Sequence, residues 1–177
     1  MKIYQNKKWN MSLEYPDDWK IVWENEPDGG WEIVVAFGGK PSKSGNPLVS
    51  LRVFPKAVIN FLNSNITVYA SGGPGAPTEL ARTPEEYNNQ CKQELVQILN
   101  GLHFISEDTK KIAGMPAAIL NYKYPSNTGT IHEKQINIFD NNFTYRFMSE
   151  APEEQRDYIE KYFDSLIDNF KPFANIS

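Results

Sequence analysis

The side chains able to act as nucleophiles, bases or metal ligands are few in this sequence, and their positions exclude several chemistries. Cysteine occurs once, as Cys91, and histidine twice, as His103 and His132. Cys91 falls on a stripe with helical spacing, Tyr87, Cys91, Leu95, Ile98 and Leu99, where a thiol behaves as a small hydrophobe. No serine stands in the G-x-S-x-G frame of a nucleophile elbow; Ser44-Gly45 and Ser71-Gly72 are the nearest text and lack it. One cysteine and two distant histidines cannot build a structural zinc site. The acidic turns at Asp17-Asp18 and from Glu24 to Asp28 lack the alternating oxygen ligands and central glycine of a helix-loop-helix calcium site. Gly38-Gly39-Lys40-Pro41-Ser42 fails as a phosphate loop, because Val34 stands where the first glycine is needed and Pro41 where Ser or Thr is. Pro74 interrupts the other glycine cluster, Gly72 to Gly75, and removes a backbone donor from any anion cradle. The expectation is a chain with no catalytic residue, no metal and no cofactor, which is therefore not an enzyme.

Binding chemistry leaves more to work with. Two of the four arginines, Arg52 and Arg146, sit in the middle of strand-like segments, opposite the most apolar stripe of each. Val49, Leu51 and Val53 point away from Arg52, and Phe143, Tyr145 and Phe147 away from Arg146. If both project from one sheet face, their planar forks could hold an anionic or peptide ligand; the alternative is pairing with neighbouring carboxylates on a wet face. Arg52 and Arg146 are the candidate partner- or ligand-binding residues. A second candidate is the acidic face of the last helix, Glu150 to Asp168, which reads as a solvated surface or a docking face for a basic partner.

The elements that must position these residues follow from pattern. The 177 residues suit one domain, 1–177, and a net charge of −4 argues against a nucleic-acid partner. No stretch reaches the ~20 apolar residues of a membrane span. As it reads, the chain is cytoplasmic, or extracytoplasmic if a leader has been removed. Strands are expected at Asn10 to Tyr15, Lys20 to Glu24, Trp31 to Phe37 (central, covered on both sides) and Leu48 to Phe54 (half-exposed). Further strands are expected at Leu102 to Asp108, Met115 to Tyr124, Thr130 to Phe139 and Asn142 to Glu150. The short basic N-terminus reads as solvated, Pro27 to Gly30 and Asp140 to Asn142 as turns, Pro55 to Ser64 as a short helix, and Ser71 to Pro77 as loop. Thr83, Pro84 and Glu86 form a helix-start signature, and Gly101 stands where that helix should end. Pro152 opens a second helix with Ile159, Tyr162, Phe163, Leu166, Ile167 and Phe170 as its buried stripe, and Pro172 closes it. The fold class expected is α+β, an antiparallel sheet of six to eight strands.

Three stretches in order resemble the PsbP-like superfamily, which takes in extrinsic proteins of photosystem II, the Ran-binding Mog proteins and DcrB-type bacterial relatives. They are Tyr15-Pro16-Asp17-Asp18-Trp19, Gly114-Met115-Pro116-Ala117 leading to Tyr122, and Asn142 to Ala151 running through Pro152-Glu153-Glu154 into a helix that ends Ile167-Asp168-Asn169-Phe170-Lys171. The resemblance implies an antiparallel sheet with helices packed on both faces, an α/β/α sandwich. It also implies a non-enzymatic binding or assembly module whose partner is another protein, with oligomeric state left open. Two alternatives stand beside it: a small-ligand-binding protein or hydrolase, and a chaperone that holds hydrophobic segments of secretion effectors on its sheet face.

Overall fold

The computed structural model describes residues 1–7, 11–28, 31–39, 47–55, 83–140 and 143–172. In chain order the elements are β1 (Lys2–Asn6), β2 (Met11–Tyr15), β3 (Lys20–Asp28), β4 (Trp31–Gly38), β5 (Leu48–Pro55), α1 (Pro84–Ile98), β6 (His103–Ile112), β7 (Met115–Ser126), β8 (Gly129–Phe139), β9 (Phe143–Pro152), a 3-10 turn (Glu153–Gln155), α2 (Arg156–Asp168) and β10 (Lys171–Pro172). Seven strands make one antiparallel sheet in the order β3-β4-β5-β9-β8-β7-β6, and three make a second, β1-β2-β10. The α+β class and the antiparallel sheet agree with the sequence reading.

Helix α1 starts as its capping residues require. Thr83 is extended, its Oγ1 accepts the Glu86 N–H at 3.2 Å, and Pro84 occupies the first turn, where its missing N–H costs nothing. Thr83→Ala removes that acceptor and is expected to lower stability by about 1 kcal/mol. A thermal melt checks it, and an unchanged midpoint would mean that packing alone fixes the helix start.

The buried apolar residues form two core clusters. One joins Tyr87, Cys91 and Leu95 of α1 to Ala118, Leu120 and Tyr122 of β7 and Phe139 of β8. The other joins Ile159, Phe163, Leu166 and Ile167 of α2 to Ala117, Ile119, Ile136, Ile138, Tyr145 and Phe147, with Tyr4, Met11, Leu13 and Tyr15 of the small sheet. Successive residues of β7 enter different clusters because strand side chains alternate across a sheet.

Several boundaries differ from expectation. The N-terminal segment is not merely solvated: β1 pairs with β2, and Tyr4 and Asn6 are buried at alternate positions while their neighbours face water. Strand β3 continues through Pro27 and Asp28, which the turn reading had excluded. β5 is not half-exposed, since it lies between β4 and β9 and buries Ser50 on the face opposite Leu51. β6 and β7 are longer than expected because the two-residue turn Ala113-Gly114 joins them, with φ of 49° and 81°. Both residues of such a turn need positive φ, and alanine in the first place hides the usual Asn-Gly or Asp-Gly signal. Pro152 ends β9 instead of opening α2, and Pro172 lies in β10, which pairs with Met11 and Ser12. The helix expected over Pro55 to Ser64 falls outside the described residues apart from Pro55, as does the loop at Ser71 to Pro77. The turn at Asp140 to Asn142 does so beyond its first residue.

Candidate functional site

On the side of the sheet that carries α1, polar residues stand in three cross-strand rows. In the first, Arg52 of β5 is directly opposite Arg146 of β9, and Arg146 is opposite Asn137 of β8. In the second, Ser50 faces Met148 and Met148 faces Gln135. In the third, Leu48 faces Glu150, Glu150 faces Glu133, and Glu133 faces Tyr122 of β7. The two arginines singled out in the sequence thus share one face and one row. Such like-charged neighbours destabilise a sheet unless other groups or a ligand offset them.

Arg146 is buried, with 3 % of its surface exposed. Its Nε donates to Asn137 Oδ1 at 2.9 Å, and its Nη2 donates to the Tyr87 hydroxyl. That hydroxyl donates in turn to Asn137 Oδ1 at 3.3 Å, so α1 is tied to two central strands through one guanidinium. Arg52 is only partly buried and is the more accessible of the pair. Cys91 lies on the buried face of α1, where Gln135 Nε2 approaches its Sγ at 3.8 Å and burial pushes the thiol pKa up. A thiol so placed is inert as a nucleophile.

The acid row has its own electrostatics. Burial pushes Glu133 up to about 7; the Tyr122 hydroxyl, which donates to its Oε1, pulls the other way, and the opposing Glu150 adds to the rise. The Tyr124 hydroxyl reaches Oε2 at 3.5 Å. Glu150, near the end of β9, is exposed as a residue, yet partial burial of its carboxylate raises its pKa. Glu133, Gln135 and Asn137 went unnoticed in the sequence. Their signal was there: polar residues at every second position beside Ile136 and Ile138.

A histidine–acid contact lies among residues of the opposite strand parity. His132 Nε2 is 2.5 Å from Glu153 Oε2, and no hydrogen-bond partner meets the buried Nδ1. Beside it is a cavity of about 10 Å³, lined in part by Lys134, Ser149, Arg156 and Ile159. That is room for about one water, not for a substrate. Among the described residues no three His, Cys, Asp or Glu side chains gather as a metal site, and no helix is long and apolar enough to cross a membrane.

No family model matches the sequence, and no curated protein does either. Solved structures do match. The cyanobacterial PsbP (CyanoP) of Synechocystis sp. PCC 6803 aligns over 97 % of this chain and 92 % of its own, at 15 % identity and a TM-score of 0.66. LpqN of Mycobacterium tuberculosis, involved in cell envelope biogenesis, aligns over 91 % and 82 % at 12 % identity and a TM-score of 0.64. PA94 of Pseudomonas aeruginosa, a protein of unknown function described as a putative regulator, aligns over 99 % of both chains at 13 % identity and a TM-score of 0.58. At these identities the likeness is one of fold, and the chain has the PsbP-like fold.

Proposed function

We propose that this domain is a non-enzymatic binding or assembly module, an α/β/α sandwich with one helix against each face of the large sheet, whose partner is another protein. The observation that carries the reading is the cross-strand arginine pair, Arg52 opposite Arg146, set in a polar sheet face. Arg146 fixes the geometry by bonding Tyr87 and Asn137, and the more accessible Arg52 presents its fork to a carboxylate or backbone carbonyl of the partner. The polarity of this face favours a polar partner segment over the hydrophobic segment that an effector chaperone would hold. The hydrolase alternative rests on the His132–Glu153 contact, and the small cavity beside it argues against a bound substrate.

Affinity capture from the native organism, run in parallel with wild type and Arg52→Ala, tests the proposal. A defined protein retained by wild type and lost by the variant, at equal melting temperature, supports it. Identical retention by both chains, or capture of nothing by wild type under gentle conditions, would overturn the role of Arg52.

A further inference from the structure

Between α1 and β6 the chain turns through Leu99, Asn100, Gly101 and Leu102, and Asn100-Gly101 is the one Asn-Gly pair in the sequence. Both residues are exposed. Regular helix bonding ends where the Leu99 N–H donates to Leu95 O at 2.9 Å. Beyond it, among the described residues, no hydrogen bond engages the Asn100 side chain or the Gly101 N–H. Gly101 has a φ of 72° and, with no side chain, leaves its amide nitrogen unscreened.

Other asparagines lack this combination. Asn88 and Asn89 lie inside α1, and Asn121 and Asn137 inside paired strands, where ladder bonds hold the backbone. Asn127 also stands in an exposed turn, but the nitrogen after it, the Thr128 N–H, donates to Ser126 Oγ at 3.3 Å and belongs to a β-branched residue. Asn169 is tied by its Nδ2 to Ser165 O at 2.9 Å, and the next nitrogen, the Phe170 N–H, donates to Ile167 O at 3.1 Å.

We propose that Asn100 is a site of spontaneous deamidation, with water as the only co-reactant. Asparagine is among the thermolabile side chains, and the reaction runs through the following backbone nitrogen. The Gly101 nitrogen loses its proton to base and forms a bond to Asn100 Cγ. The Cγ–Nδ2 bond breaks, and Nδ2 takes a proton from solvent and leaves as ammonia. Water then opens the succinimide ring at either carbonyl. Opening at Cγ leaves aspartate; opening at the main-chain carbonyl leaves isoaspartate, with the chain running on through the former side chain. The net change in either case is amide plus water to acid plus ammonia.

The consequence falls on α1. A new carboxylate stands just past the negative end of its dipole, and the last turn holds no basic residue to offset it. Isoaspartate also lengthens the backbone where the fit is close, since a Cβ on Gly101 would come within 2.9 Å of the Pro125 ring in β7. The turn of α1 that carries Leu95 into the core cluster shared with Tyr122 is thereby loosened.

The test incubates the full chain at physiological temperature over a range of pH, digests it with trypsin and follows the peptide Gln93–Lys110 by mass spectrometry. Asn100 is expected to convert several-fold faster than Asn127 in the same sample. The rate should climb with pH, and the product should be richer in isoaspartate than in aspartate and take up label from heavy-oxygen water. Amide exchange at residues 95–98 should quicken in the converted fraction and in Asn100→Asp. Asn100→Ser should show neither the conversion nor the quickening. Conversion at Asn100 no faster than at Asn127 overturns the site. Aspartate without isoaspartate overturns the ring route, and unchanged exchange in the converted fraction overturns the effect on α1. None of these outcomes depends on what the chain binds, so the Arg52-dependent capture stands or falls separately.

Discussion

Glu133→Gln is expected to leave stability nearly unchanged in acid and to raise it by about 3 kcal/mol in mild alkali. The folded chain holds the Glu133 proton up to about pH 7, against an ordinary value of 4.5. Below the lower value both folded and unfolded chains are protonated, and ionisation costs the fold nothing. Between the two the unfolded chain ionises first, so stability falls as pH rises; above pH 7 the cost is constant. Glutamine keeps an acceptor for the Tyr122 hydroxyl and removes the titration. The difference in unfolding free energy between variant and wild type, measured by urea denaturation from about pH 4 to about pH 8, should therefore climb through this window and level off. A flat difference would show that Glu133 is ionised and well solvated throughout.

Arg146→Ala is expected to cost about 3 kcal/mol, because it empties a buried site and strips Tyr87 and Asn137 of their charged donor. Arg146→Lys should recover less than half of that loss, since one ammonium cannot reach two acceptors as a planar fork does. Tyr87→Phe alone should cost about 1 kcal/mol. Combining it with Arg146→Ala should cost less than the sum of the two, as residues in one network do. Full additivity in that double-mutant cycle would mean that the guanidinium and the phenol are not coupled.

The sequence made the elements legible wherever a local rule was strong. Thr83, Pro84 and Glu86 placed the start of α1, and the stripe from Ile159 to Phe170 placed the body of α2. It failed where geometry overrode a usual signal, as at Ala113-Gly114, and where a short strand depends on a distant partner, as β10 depends on β2. The candidate face was half legible. Parity along each strand put Arg52 and Arg146 opposite the apolar stripes, but the pairing of β5 with β9 that makes them direct neighbours is a tertiary fact.

The register of the two sheets also sets the order in which this protein can be made. β5 waits for β9, and β2 receives β10 only after α2 has been synthesised. Neither sheet can be completed until the last third of the described chain has left the ribosome. Met11, Leu13 and Phe37, fully buried at the end, lack part of their cover until then. Closure over such sequence distances is slow compared with helical bundles, and an unfinished chain offers unpaired strand edges meanwhile. Truncation after α1 should therefore yield an aggregating fragment, not a smaller folded domain.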